Sequence, residues 1–183
     1  SEVYEKFGEK VVAFQDPDGL KLEFIESKTV DVRQPWTTAE VQAQHATKGF
    51  HNVTLTLRSV DPTAKVLVDS LGYRLQAQEG NRYRFVTDAI DHANIIDIVE
   101  APGTPSGINA AGTNHHIAFR VANDDILMEY REKIELAGLN ITPKIDRDYF
   151  FSLYFREPGG VLFEIATDNP GFTRDETLAE LGS

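Results

Sequence analysis

The 183-residue sequence carries 29 acidic and 18 basic side chains, a formal net charge of −11, and contains no cysteine. This charge repels phosphate backbones and anionic lipid, so it argues against nucleic-acid and membrane partners. The lack of cysteine excludes disulfides and thiolate metal ligands, and no apolar run is long enough to span a bilayer. These features predict a cytoplasmic globular protein in which any metal is held by histidines and carboxylates.

The first predicted structure is a β-hairpin over residues 14–23. Pro17 presets the backbone for a turn and Gly19 can adopt positive φ, so the segment reads as strand, tight turn and strand. Residues 155–164 repeat the order of Phe, acid-Pro-x-Gly and an apolar strand that reaches Glu. The hairpin that ends in a carboxylate is therefore a repeated unit, and residues 1–27 are expected to be the last two strands of a preceding module.

A second repeat relates residues 49–57 to residues 113–121. Both segments alternate like strands, and a predicted amphipathic helix follows each. The apolar stripes of the two helices are Ala64, Leu67, Val68 and Leu71 in the first, and Leu127, Tyr130, Ile134 and Ala137 in the second. Only strands follow each helix, so the order predicts an α+β fold of repeated βαβββ modules.

The predicted boundaries follow from these repeats. One module covers residues 49–103 and the next covers residues 112–168. Residues 28–48 are expected to form a linker of mixed polarity, and residues 169–183 a C-terminal tail.

The last module contains the clearest candidates for metal ligands, His116 and Glu164. Alternation along a strand over residues 114–121 would place His115 and His116 on opposite faces, so only one of them can serve a given site. Glu164 lies among apolar residues of the closing strand, where a carboxylate is costly to bury unless it is paired, hydrogen-bonded or bound to metal. The alternative is a core histidine and an ordinary salt-bridge partner.

Tyr154 is the candidate catalytic residue. It lies ten residues before Glu164, and the turn between them would bring both side chains toward one cavity. A phenol beside a metal can orient or protonate a bound oxygen substituent. The alternative is a half-buried strand tyrosine without a chemical role.

These modules carry a resemblance to a known family. The opening His-His-Ile-Ala-Phe at 115–119 and the closing Phe-Arg-Glu-Pro-Gly-Gly-Val-Leu-Phe-Glu-Ile-Ala-Thr-Asp at 155–168 resemble the vicinal-oxygen-chelate superfamily. Within it, the sequence is similar to ring-cleaving dioxygenases of the hydroquinone-specific group. The resemblance covers nearly all 183 residues and is most specific over 146–172. It implies a glyoxalase-like fold with a curved mixed β-sheet.

The resemblance also implies a divalent metal in a site of two histidines and one carboxylate. Fe(II) is the first expectation, with Mn(II), Zn(II) and Ni(II) as alternatives. The family's first-strand ligand lies five residues before the apolar residue that precedes the loop, so Val121 points to His116. Glu164 matches the carboxylate ligand, and Tyr154 matches a tyrosine that touches a substrate oxygen. No organic cofactor is expected.

The module that begins at residue 49 departs from this pattern. The residue five positions before Leu57 is Asn52 and not His51, so this module lacks the histidine ligand. Glu23 would then face Asn52 in a site without metal. The third ligand is therefore expected from an absent N-terminal module. A one-residue shift of the strand would instead bring in His51.

A second departure concerns proton transfer. Catechol-cleaving relatives carry an acid–base histidine nine residues before the tyrosine, and Ile145 occupies that position here. Asp146, Arg147 or Asp148 could substitute for it.

The resemblance implies a ring-cleaving, extradiol-type dioxygenase that acts on a hydroquinone- or catechol-like aromatic with O₂. A glyoxalase-type lyase or isomerase with a redox-inert metal is an alternative. A metal-free protein that binds and sequesters aromatic drugs is another. An unpaired module face predicts a homo-oligomer, or association with the missing N-terminal module.

Overall fold

The computed structural model describes residues 2–181. In this range the chain forms eleven strands, two α-helices and one π-helical segment. The strands are β1 (Tyr4–Lys6), β2 (Glu9–Gln15), β3 (Lys21–Glu26), β4 (Asn52–Leu57), β5 (Arg74–Glu79), β6 (Arg82–Val86), β7 (Ile95–Glu100), β8 (Ile117–Val121), β9 (Ile145–Asp146), β10 (Phe150–Arg156) and β11 (Leu162–Pro170). The helices are α1 (Asp61–Lys65), which continues into the π-helical segment (Val66–Ser70), and α2 (Asp124–Leu136).

The strands form three sheets with a repeated topology. Two sheets have four strands, in the orders β4-β7-β6-β5 and β8-β11-β10-β9, and the third has the order β1-β2-β3. In each four-stranded sheet the first and last strands of the module pair in parallel, and the other neighbours are antiparallel. A parallel pair requires a crossover connection, which the helix of each module supplies. The predicted α+β class and the βαβββ order are confirmed.

Helix α2 forms where the apolar stripe predicts it. Asn123 caps its first turn by accepting a hydrogen bond from the Ile126 N–H, and Asp124 and Asp125 lie at the positive end of the helix dipole. Leu127 and Ile134 are completely buried. The predicted stripe is thus confirmed at these two positions, whereas Tyr130 is only partly buried and Ala137, which follows the last helical residue, is exposed.

The first helix departs from its predicted stripe at Val68, which is 45% exposed. The segment after Lys65 is π-helical, and the Leu71 N–H donates to the Val66 carbonyl five residues earlier. The wider turn changes the angular spacing of the side chains relative to an α-helix, so Val66 is buried in place of Val68, while Leu67 and Leu71 are buried as predicted. The prediction for Val68 was wrong because it assumed a regular period of 3.6 residues.

Residues 1–27 were predicted to hold two strands, and the structure adds a third. β1 pairs with β2 in antiparallel register, with Tyr4 opposite Val11, so the N-terminal sheet has three strands. Residues 27–51 contain neither helix nor strand. At the other end, β11 runs to Pro170, two residues into the predicted tail.

The described chain divides into two compact units. Unit 1 comprises residues 2–60 and 72–104, and unit 2 comprises residues 61–71 and 105–181. The buried apolar side chains of unit 1 include Val11, Phe85, Ile96 and Ile98, and those of unit 2 include Leu67, Leu127, Ile134, Leu153, Phe155, Phe163 and Ile165. Within residues 2–181, neither helix has the length and apolar character needed to cross a lipid bilayer.

Candidate functional site

The structure brings His116, Tyr154 and Glu164 together in unit 2. The His116 Nε2 atom lies 2.7 Å from Glu164 Oε2, and the Tyr154 hydroxyl donates to Glu164 Oε1 at 2.7 Å. The His116 and Tyr154 rings meet edge to face, with centroids 5.9 Å apart. One carboxylate thus contacts an imidazole through one oxygen and a phenol through the other.

The sheet topology explains why these side chains meet. Strand β11 lies between β8 and β10, so Glu164 has Ala118 beside it on one neighbour and Tyr154 on the other. Alternation turns Phe163 and Ile165 to the opposite face, where both are completely buried. Glu164 is only 3% exposed, so it is a buried carboxylate with specific polar partners on the other face of the sheet.

The two adjacent histidines do not obey strict strand alternation. β8 begins at Ile117, so His115 and His116 lie in the irregular segment that leads into it. Their Nδ1 atoms are 2.9 Å apart and their rings are perpendicular. One Nδ1 must therefore carry a proton that the other accepts. The predicted strand start at residue 114 was too early, and His115 contacts the candidate ligand instead of facing away from it.

Tyr154 is fixed by its own backbone and by a nearby cation. Its N–H donates to the Thr142 hydroxyl at 2.9 Å, and its carbonyl accepts from the Thr142 N–H at 3.0 Å. The Arg147 guanidinium lies 5.6 Å from the centre of its ring. Asp146, in contrast, accepts from the Asp148 N–H at 2.8 Å. Of the three residues that could substitute for the missing acid–base histidine, Arg147 is the one that contacts Tyr154.

The donors of this site suit a divalent metal but do not complete a site for one. Among residues 2–181, no group of three or more histidine and acidic side chains is arranged to hold a metal ion. His116 Nε2 and the Glu164 carboxylate are an imidazole and a carboxylate, two of the three donors of a facial triad. The pair fits a metal, and a further ligand is required.

Unit 1 contains the counterpart of this site, and one expectation about it was wrong. Asn52 does not face Glu23, because its side-chain amide donates to Asp97 Oδ2 at 2.9 Å on the neighbouring strand β7. Glu23 instead pairs with Lys6 and accepts from the Tyr4 hydroxyl at 2.6 Å. Burial and this hydrogen bond raise the pKa of Tyr4 to about 12, which keeps the phenol a donor.

The register shows no shift that would put His51 in place of Asn52. In unit 1, Val53 pairs with Ile96, the residue before Asp97. In unit 2, Ile117 pairs with Phe163, the residue before Glu164. His51 lies with its Nε2 atom 3.1 Å from Glu9 Oε1.

Sequence reasoning missed Arg84 and Asp97 of unit 1. The signal was present, because Ile-Asp-Ile at 96–98 matches Phe-Glu-Ile at 163–165, and Tyr-Arg-Phe at 83–85 matches Leu-Tyr-Phe at 153–155. Because neither residue is a histidine, a search for histidine ligands does not single them out.

Comparison with known proteins connects this geometry to a family. The family model described as "Glyoxalase/Bleomycin resistance protein/Dioxygenase superfamily" matches residues 49–165. Over 178 residues the chain is 42% identical to "Putative ring-cleaving dioxygenase MhqO" of Bacillus subtilis, covering 97% of this chain and 56% of that protein. It is 37% identical over 191 residues to "Chlorohydroquinone/hydroquinone 1,2-dioxygenase" of Sphingobium indicum, covering all of this chain and 58% of that protein.

A solved structure shows the same likeness. The crystal structure of a "putative dioxygenase" from Bacillus subtilis superposes with a TM-score of 0.89 at 40% identity, over all of this chain and 58% of that one. The chain therefore spans a little over half the length of the relatives that it matches.

Proposed function

Because the chain belongs to the glyoxalase/bleomycin resistance protein/dioxygenase superfamily, we propose that it carries the metal-binding part of a ring-cleaving dioxygenase. The predicted glyoxalase-like fold is confirmed by the same comparisons. The substrate we propose is a hydroquinone- or catechol-like ring that is opened with O₂, the class of reaction named for the Sphingobium relative. The observation that carries the proposal is the contact of Glu164 with both His116 and Tyr154.

In this proposal His116 Nε2 and the Glu164 carboxylate are two protein ligands of the metal. We propose Fe(II), with Mn(II), Zn(II) and Ni(II) as alternatives, since imidazole and carboxylate donors suit all of them. When bound, Fe(II) supplies open coordination positions and redox chemistry for the ring and O₂. The third ligand comes from an N-terminal module of the full-length protein or from a second copy in a homo-oligomer.

His115 acts through His116. If the His116 Nδ1 carries the proton, it donates to the His115 Nδ1 at 2.9 Å and leaves Nε2 free to bind the metal. This hydrogen bond fixes both the tautomer and the ring orientation. His115 is therefore a positioning residue.

Tyr154 supplies a proton donor beside the ligand pair. Its hydroxyl points at Glu164 on the face that holds His116, so a substrate oxygen bound on this face would lie beside the phenol. The hydrogen bonds with Thr142 hold the Tyr154 backbone in place. Arg147 adds a positive charge next to the ring, which favours an anionic substrate oxygen there.

Oxygen consumption tests the proposal in the full-length protein. The protein is reconstituted with Fe(II) under anaerobic conditions, and O₂ uptake is followed after addition of hydroquinone or chlorohydroquinone. We expect uptake by the natural protein and none by His116→Ala. His92→Ala is the matched control, because the His92 side chain is 34% exposed, as is that of His116, and lies 4.0 Å from Asp31.

The outcomes separate the alternatives. Absence of O₂ uptake by the natural protein with every ring tested would refute the dioxygenase. Ring binding without turnover and without a metal requirement would instead indicate an aromatic-ligand binding protein. Metal content of the full-length protein and of the 183-residue chain, measured with the oligomeric state, shows whether the third ligand lies outside these residues.

A further inference from the structure

Unit 1 contains a buried cluster of charged side chains that has no role in the proposed function. The Arg84 guanidinium donates from Nε and Nη2 to both oxygens of Asp97, at 2.8 and 2.9 Å, and from Nη1 to Glu9 Oε2 at 2.6 Å. Arg84 is 3% exposed, Glu9 5% and Asp97 0%. A cation thus lies between two buried carboxylates that come from β2 and β7.

Two members of the cluster, Arg84 and Asp97, occupy positions of unit 1 that correspond to site residues of unit 2. Arg84 pairs with Asp97 on adjacent antiparallel strands, as Tyr154 pairs with Glu164. The parallel strand supplies Asn52 in unit 1, at the same distance before the shared register position as His116 in unit 2. Asn52 then contacts Asp97, as His116 contacts Glu164.

The surroundings of Arg84 show that the cation is part of a built arrangement. The Phe7 ring lies under the guanidinium, with its centre 4.3 Å from the central carbon, and His51 Nε2 is 3.1 Å from the second oxygen of Glu9. Burial opposes ionisation of Glu9, but the bonds and charge of Arg84, together with His51, hold the pKa of Glu9 below its ordinary value. Both carboxylates are therefore satisfied by the same positive group.

We propose that Arg84 takes the place of a divalent cation in unit 1, and that removing its guanidinium exposes a second divalent-metal site formed by Glu9 and Asp97. The correspondence between the units rests on the proposed metal ligands His116 and Glu164. The natural chain is then a protein with one metal site and one counterpart that is permanently neutralised by its own arginine.

The chemistry of the two carboxylates supports this assignment. Two buried carboxylates cannot both stay ionised without a nearby positive charge, and in the natural chain Arg84 supplies it. Hard divalent cations such as Mn(II) prefer carboxylate oxygens. The side-chain amide oxygen of Asn52 and the imidazole of His51 are further donors nearby, of types that such ions accept. Glutamine at position 84 retains polarity but removes the charge.

Mn(II) binding is measured in a His116→Ala background, which removes the proposed ligand of unit 2. With Arg84 present, we expect no stoichiometric Mn(II) by electron paramagnetic resonance. With Arg84→Gln added, we expect about one Mn(II) per chain and a thermal unfolding midpoint that rises with Mn(II) concentration. Arg84→Lys is the matched control, because it retains a cation and should bind no Mn(II).

Addition of Asp97→Asn to the Arg84→Gln variant assigns the bound ion to unit 1 and should abolish it. The proposal is overturned if the Arg84→Gln variant binds no Mn(II), if Asp97→Asn leaves the binding intact, or if an Asp97-dependent ion already binds with Arg84 in place. If Arg84→Gln unfolds in chelator, refolding with Mn(II) should restore a cooperative transition, and failure to do so also overturns the proposal. O₂ uptake tests the dioxygenase separately, since the unit 1 measurement depends on Asp97 and requires no turnover.

Discussion

The Tyr154 hydroxyl donates to Glu164 across directly paired positions of β10 and β11, with 2.7 Å between the phenol oxygen and Oε1. His116 contacts the other oxygen of the same carboxylate. Glu164 therefore links the proposed proton donor to the proposed metal ligand, and each of the three side chains can be changed separately.

Replacement Tyr154→Phe should lower kcat for hydroquinone cleavage by about 100-fold, the usual scale for loss of a positioned proton donor, with a small effect on KM. The ring and its contact with His116 remain, so metal content should stay unchanged. Steady-state O₂ uptake measures the effect. Tyr149→Phe is the control, because the Tyr149 hydroxyl donates to Asp175 at an exposed position. Equal kcat values for both variants would remove Tyr154 from the mechanism.

The two adjacent histidines should differ in their effect on metal affinity. His116→Ala removes a proposed ligand and should abolish stoichiometric Fe(II) binding. His115→Ala removes only the partner of the His116 Nδ1 atom and should weaken binding by about ten-fold, the effect typical of a group that orients a ligand. Anaerobic Fe(II) titration distinguishes them. The reverse order would assign the ligand to His115.

Glu157→Gln should lower the free energy of unfolding by about 2 kcal/mol, since it breaks hydrogen bonds to a buried charged acceptor. The Glu157 carboxylate is 2% exposed and accepts from the Thr63 hydroxyl at 2.5 Å and from the N–H groups of Gly159 and Val161, each at 2.7 Å. A glutamine amide would direct its own N–H group toward one of these donors. Urea denaturation, followed by circular dichroism, measures the loss.

The matched control is Asp16→Asn at the equivalent turn of the N-terminal hairpin. Asp16 Oδ1 alone accepts from the Asp18 and Leu20 N–H groups, at 2.9 and 2.8 Å, and the asparagine oxygen can retain both bonds. Its loss should stay below about 0.5 kcal/mol. Similar losses for the two variants would contradict the special role of the Glu157 carboxylate.

Stability should fall in acid partly through Glu9. Burial raises the pKa of Glu9, but Arg84 and His51 lower it further, so its folded pKa lies below the ordinary value of 4.5. The ionised form therefore stabilises the folded state above that value, and the contribution is lost as the pH falls from 4.5 toward the folded pKa. The stability difference between the natural chain and Glu9→Gln should shrink over this window.

Urea titrations between about pH 3 and 6 measure this difference. Glu26→Gln is the control, because Glu26 is exposed and pairs with Lys10 at 3.2 Å. If the difference in the free energy of unfolding between the natural chain and Glu9→Gln stays constant over this pH range, the Glu9–Arg84 ion pair does not cause the loss of stability in acid.

The sequence indicated the modules because their signals are local. The period of 3.6 in α2, the acid-Pro-x-Gly turns and the alternation in β11 each depend on residues within one element. Val68 was misplaced because the backbone widens to a π-helical turn after Lys65, which its apolar pattern does not record. The third N-terminal strand was missed because β1 has only three residues and is defined by its pairing with β2.

For the candidate site, the sequence alone determined the types and spacing of His116, Tyr154 and Glu164. Spacing within a hairpin and position in a strand are properties of the chain itself. Only the tertiary structure decided that Asn52 contacts Asp97 instead of Glu23, that His115 contacts His116, and that Arg84 lies between Glu9 and Asp97. These contacts join residues through sheet register and through packing between strands far apart in sequence, where the buried charges had to find partners of opposite sign.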